Sequence, residues 1–260
     1  MFAGFSQFPE GQMIAFALIF LRVVAFVVAA PLIGSQGVPV PVKVLLSMAL
    51  SMMLFPAMKF QNIDLIRIGD QVVFLSFREI CIGLFLGFMM RLFFFAVSIA
   101  GEIIGVSSGA SQAQLFNPAM GSQANVLEQF YMVMATLFFF GLNGHHIFLS
   151  GLAKSFELVP IADLAIHAKG FVSFATSFQV VLEIGIKIAA PVMIAILITN
   201  LAMGVLGRAV PQINVFMTSM QVTFLVTLFV LIITVPFFVD EMDVLMRTMA
   251  DQFMSVMKVL

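Results

Sequence analysis

Six charged side chains stand inside or at the edges of otherwise apolar segments: Arg22, Arg78, Glu79, Arg91, Glu183 and Lys187. In hydrocarbon each is costly unless it is paired, buried against protein or facing water, so these positions mark where the chain must do electrostatic work. Arg78 and Glu79 are adjacent, and adjacent residues on a helix point in different directions, so their partners are expected elsewhere in the chain. Arg91 and Lys187 are also placed to snorkel toward a membrane surface. Catalytic chemistry leaves no comparable pattern. His145 and His146 are consecutive and do not share a helix face, and no carboxylate stands at zinc-site spacing from them. No GxSxG elbow, P-loop or dinucleotide-binding GxGxxG is present. Asp240, Glu241 and Asp243 follow the last apolar run and read as a solvated helix start rather than a metal site. The expectation is a protein with no enzymatic activity, no metal and no cofactor.

The elements that hold these charges are strongly apolar. Of 260 residues, 62% are hydrophobic and 10% charged, against about 25% charged in a soluble domain, and the mean hydropathy is +1.15. An all-α integral membrane protein is implied. Apolar runs near the bilayer-spanning length of about 20 residues fall near 13–30, 44–58, 72–97, 132–152, 186–206 and 221–239, which predicts six hydrophobic helices arranged as hairpins. The second run is short and ends at Pro56, and the first carries Arg22 near its middle. Simple single-pass geometry therefore fits them poorly. The 31 Phe against one Tyr and no Trp leave little of the usual interfacial aromatic belt. Lys and Arg are scattered over both sets of loops and give no orientation. A net charge of -1 excludes nucleic acid as a partner on electrostatic grounds. The lone Cys81 reads as a small buried hydrophobe, and the absence of a basic residue before the first apolar run argues against a cleaved signal peptide.

Small residues form a second pattern. Gly83 and Gly87 make one GxxxG, and Gly101, Gly105, Gly109 and Ala113 repeat the same spacing, a ridge that lets another backbone approach closely. The ridge leads into GVSSGASQAQLFNPAMGSQAN, residues 105–125, which carries no charge at all. Polar backbone at membrane depth is tolerated only where it is buried in protein or lines a wet cavity. A helix is expected to continue along the glycines and to break at Asn117-Pro118. Gln112 and Gln114 would then face wet space, with Leu115, Phe116 and Met120 as an apolar tip. Two readings stand, a re-entrant connector and a plug at a pore or subunit seam. A further polar turn, residues 204–216, contains Arg208, Pro211, Gln212, Asn214 and Phe216, and reads as the tip of a helical hairpin or simply as a loop. A small-molecule secondary transporter would need an inverted repeat of broken helices around a midplane charged site. No such repeat is visible; that transporter and a scaffold without a pore are the competing readings.

Taken in order, Arg22 with Pro31, Pro39 and Lys43, then Glu79, Gly83 and Gly87, Ala100-Gly101-Glu102 with Ile104-Gly105, Asn117-Pro118, Asn143-Gly144-His145, and Arg208, Pro211, Gln212 and Phe216 make the chain resemble the FliR family of flagellar export-gate proteins, equivalent to the T subunit of the type III secretion export apparatus. It departs from many relatives at Asn117, where they have Asp, and at Ser107-Ser108, where they have Gln-Met. The resemblance implies a structural and gating subunit of a protein export channel in the bacterial inner membrane, at the flagellar basal body. It implies assembly with FliP-like and FliQ-like subunits, with one copy of this chain, and export of unfolded flagellar proteins. A FliP-like part over 1–180 and a FliQ-like hairpin over 181–260 follow from it, with 105–121 as the plug of the closed pore and 208–216 facing other subunits or a separate FlhB-like protein.

Overall fold

Away from water a chain must satisfy its amides within each segment, and this one does so as helices. The structure, a computed structural model, describes residues 10–35, 37–57, 71–111, 125–161, 169–210, 212 and 214–257. Among them run α1 (Glu10–Ala29), α2 (Val40–Leu54, extended by a 3-10 turn Phe55–Ala57), α3 (Val72–Ser107), α4 (Val126–Gly141), α5 (Gly144–Leu158), α6 (Lys169–Ala209) and α7 (Val215–Met257). The all-α class stands. Among the described residues four helices are long and apolar enough to cross a membrane, or five if the bent pair α4 and α5 counts as one span.

Three expectations about the helices need correction. The run near 132–152 is not one helix: α4 and α5 meet at a 65° bend. Asn143 supplies the bend from a left-handed conformation (φ 55°), which Asn tolerates better than most side chains. Second, α3 ends at Ser107, and Gly109 at φ 80° turns the chain, so the helix stops well before Asn117-Pro118. A residue without a Cβ adopts that conformation at little cost and is a common helix stop. Third, Asp240, Glu241 and Asp243 lie inside α7 rather than at a helix start. The reason is length. At 41 and 43 residues, α6 and α7 each run about 60 Å or more at 1.5 Å per residue, twice a hydrocarbon core of about 30 Å. Their charge-free stretches, 188–207 and 215–239, are the bilayer-sized parts, and the charges begin where those stretches end.

The chain divides into two compact units, one drawn from 1–92, 146–175 and 249–260, the other from 93–145 and 176–248. In the first, α1 packs on the N-terminal part of α3, and Leu18, Ile19, Val23 and Leu86 are each 2% exposed or less. In the second, Phe93, Phe94 and Phe139 form a ring cluster with centroids 5.1–5.6 Å apart, and Tyr131 meets Phe238 edge to face at 5.2 Å. Such pairs add roughly 0.5–1.5 kcal/mol beyond the area they bury. The long helices expose wide apolar faces, among them Leu197, Ile198 and Leu201 on α6 and Phe229, Ile232 and Ile233 on α7. Faces of this kind belong against lipid or other protein rather than water. Cys81 is exposed, not buried, because it lies on the side of α3 turned away from α1.

Candidate functional site

In the first unit Arg22, Arg78 and Glu79 converge. Arg22 is fully buried in the middle of α1. Its Nε donates to Glu79 Oε2 at 2.5 Å. Nη1 donates to the Ser155 carbonyl at 3.0 Å and to Ser155 Oγ at 3.1 Å, and Nη2 to the Val159 carbonyl at 3.0 Å. The guanidinium also stands 4.1 Å from the centre of the Phe156 ring. Carbonyls at a helix C-terminus carry partial negative charge, so the last turn of α5, where the Ser155 carbonyl also accepts from the Val159 amide at 2.9 Å, is a natural seat for a cation. Arg78 Nη1 donates to the Pro160 carbonyl at 3.1 Å and lies 3.5 Å from Glu79 Oε1. Its Nε and Nη2 have no hydrogen-bond partner among the described residues. Glu79 is thus the counter-charge of two buried cations.

The first glycine pair makes this possible. A Cβ on Gly83 would overlap the Arg22 carbonyl and Ala25, and one on Gly87 would overlap Ala29 and crowd Phe26. As numbering rises on α3 it rises on α1, so the two helices run parallel with their backbones in close approach, the packing expected of GxxxG. Arg91 closes the seam by donating from Nε to the Ala29 carbonyl at 2.6 Å, at the last residue of α1. It caps the end of α1 while the side chain stays exposed.

In the second unit the other glycine pair serves an antiparallel hairpin. Gly101 faces Glu128, whose Cα would lie 2.6 Å from an added Cβ, and Gly105 lies under the Asn125 amide. Ser98 Oγ donates to Glu128 Oε1 at 2.5 Å. Asn125 is 4% exposed and caps α4: its Oδ1 accepts from the Leu127 amide at 3.0 Å, the preferred role of Asn at a helix start. Its Nδ2 donates to Ser111 Oγ at 2.9 Å, linking the end of α3 to the start of α4. Among the described residues nothing lies within 4 Å of a Cβ added at Gly109, so it makes no close-packing contact with them. Of the plug residues named from sequence, Gln112, Gln114, Leu115, Phe116, Asn117, Pro118 and Met120 lie outside the described residues.

The remaining named positions fall on α6 and α7. Lys187 pairs with Glu183 at 2.8 Å, one turn apart, with both side chains more than half exposed; an exposed pair of this kind contributes little to stability. At the hairpin tip Arg208, Gln212 and Asn214 are exposed, and Asn214 accepts from the Met217 amide at 3.3 Å, starting α7. Pro211 lies outside the described residues, and Phe216 is described in its backbone only. Sequence reasoning missed Asn125, Ser111, Ser98 and Ser155. A signal for Asn125 was present, since Asn three residues before Glu at the head of an apolar run is a helix-start pattern. Ser155 offered none, because its contact with Arg22 joins residues 133 apart.

Comparison with known proteins agrees with the motifs. The family described as bacterial export proteins, family 1, matches residues 13–249. The chain is similar to the flagellar biosynthetic protein FliR of Aquifex aeolicus, 31% identical over 96% of this chain and 93% of that protein. FliR of Bacillus subtilis is 32% identical over 84% of this chain and 85% of its own length. FliR of Caulobacter vibrioides is 33% identical, over 80% and 83% respectively. An all-helical membrane chain with a glycine-ridged α3, matched at this level over nearly its whole length, belongs to the FliR family of flagellar biosynthetic proteins.

Proposed function

We propose that this chain is a structural and gating subunit of the flagellar type III protein export channel in the bacterial inner membrane. It assembles with FliP-like and FliQ-like subunits, one copy of this chain per complex, to form the pore through which unfolded flagellar proteins leave. Residues 1–180 act as the FliP-like part and 181–260 as the FliQ-like hairpin, whose exposed tip at 208–216 meets neighbouring subunits or a FlhB-like protein. The segment 105–121 plugs the closed pore. One observation supports the gate reading: α3 and α4 pack as a hairpin over Gly101 and Gly105, tied by Ser98 on the Glu128 carboxylate and by Asn125 on Ser111, and the 112–124 sequence that joins them bears no charge. A connector standing in bulk water has every reason to carry charge. One that must both seal and admit passing chains has reason to be polar yet neutral.

The test is to delete Gln112–Phe116, which leaves the hairpin base intact, and to reconstitute the complex in vesicles. Complex yield is expected to stay near native while potassium efflux rises strongly. A tight complex after that deletion removes the gate reading.

A further inference from the structure

We propose that the free edge of the Arg78 guanidinium is the seat of a phosphate oxyanion, supplied in the membrane by the headgroup of an anionic phospholipid. The site lies wholly in the first unit and is independent of the gate. Arg22 spends every nitrogen: Nε on Glu79, Nη1 on Ser155 and Nη2 on the Val159 carbonyl. Arg78 does not. At 3% exposure it donates from Nη1 to the Pro160 carbonyl, while Nε and Nη2 have no hydrogen-bond partner among the described residues. Those two nitrogens share one edge of the guanidinium, and their N–H bonds run parallel, the fork that takes two oxygens of one carboxylate or phosphate. Glu79 does not fill it. Its Oε2 is held by Arg22, and its Oε1 lies 3.5 Å from Arg78 Nη1, the nitrogen already committed to Pro160.

Charge asks for the same ligand. Arg22, Arg78 and Glu79 are all buried and together carry one positive charge in excess, and a buried cation left uncompensated is costly. A phosphodiester brings one negative charge and several acceptor oxygens, so it balances the excess and occupies the fork at once. The surroundings favour a lipid as its source. Arg78 is the seventh residue of α3, at the head of the uncharged run 80–90. It stands about 9 Å from the helix start, where cations near the end of an apolar helix meet headgroups. On the same turns Phe74, Phe77, Cys81 and Leu84 form an exposed apolar stripe, and position 78 lies roughly 80° around the helix from it. Nε and Nη2 are themselves buried, so the headgroup reaches them from that flank, with its acyl chains laid along the stripe.

The test takes the full chain, with any subunits that co-purify, into detergent and reads lipid retention by native mass spectrometry. The probes are phosphatidylglycerol, diacylglycerol with the same acyl chains, and inorganic phosphate. Phosphatidylglycerol is expected to bind about 10- to 100-fold tighter than diacylglycerol, the range of charge-assisted hydrogen bonds. Arg78→Gln should erase that preference, and Arg78→Lys, which keeps the charge but loses the fork, should fall between. Phosphatidylglycerol that stays bound in an excess of inorganic phosphate identifies the headgroup as the source. Displacement by phosphate alone keeps the oxyanion seat and overturns the lipid as its source. Equal binding of phosphatidylglycerol and diacylglycerol to the wild type overturns the site without any variant. An undiminished preference in Arg78→Lys overturns it too, and decides the matter even where Arg78→Gln does not accumulate. Loss of the chain in Arg78→Gln, with no headgroup preference in the wild type, assigns the fork to a carboxylate of another protein and overturns the phosphate.

Discussion

The two glycine pairs of α3 solve one packing problem in two ways. Gly83 and Gly87 bring α1 alongside in parallel, and the seam is locked by a buried carboxylate between two guanidiniums. Gly101 and Gly105 bring α4 alongside antiparallel, and that seam is held by a serine on a carboxylate and by the Asn125 amide on Ser111. Breaking a buried ion pair by removing one partner costs about 3–5 kcal/mol. Losing one neutral hydrogen bond costs roughly 1 kcal/mol. The first seam is therefore the costlier to open, while the second rests on one bond to a carboxylate, from Ser98 to Glu128, and one neutral bond, from Asn125 to Ser111.

Glu79→Ala should have the largest effect, because it strands Arg22 and Arg78 without a counter-charge; a loss of about 3–5 kcal/mol is expected, seen as a collapse of chain abundance in the membrane fraction. Native abundance would erase the distinction between the seams. Next comes Gly105→Leu, which places a side chain where the Asn125 amide sits. Overpacking costs about 1–3 kcal/mol, and complex yield should fall sharply. Unchanged yield and export would contradict close packing of α3 on α4. Gly109→Ala sharpens the point: no described residue crowds that position, so the left-handed backbone at φ 80° is the penalty expected, about 1–2 kcal/mol, and assembly should survive. Smallest in stability is Arg208→Ala at the exposed tip of α6. Chain level should hold while export of flagellar subunits declines; wild-type export would reduce the tip to a plain turn.

How much of this was legible depends on the distance over which each feature is decided. Glycine spacing is local, and both pairs emerged as close-packing seams. That Arg22 needed a partner was legible from one charge in an apolar run, but Glu79 and the α5 carbonyls as that partner were not, because they lie 57 and 133–137 residues away. The bend at Asn143 was hidden by unbroken hydrophobicity across 132–152, since hydropathy reports what a segment is buried in and not where its backbone turns. Cys81 was misplaced because the rule that free cysteine is buried speaks of soluble cores, whereas here the outside of a helix is apolar as well. The acids at 240–243 were read as a helix start because a spanning helix was assumed to end with its apolar run. The hairpin base at Asn125 carried a helix-start signature, while its hold on Ser111 and Gly105 required two helices to be placed side by side.

Arg22 also imposes an order on biosynthesis. Helix α1 leaves the ribosome with a guanidinium whose carboxylate is 57 residues downstream and whose carbonyl acceptors are 133–137 residues downstream. At synthesis rates of roughly 5–20 residues per second, α1 waits about 7–27 s for the last of them. During that interval it is a marginal membrane helix, penalised by about 2.5–3.5 kcal/mol for an arginine near its centre. Its final seat is therefore taken late, after α3 and α5 exist to receive it.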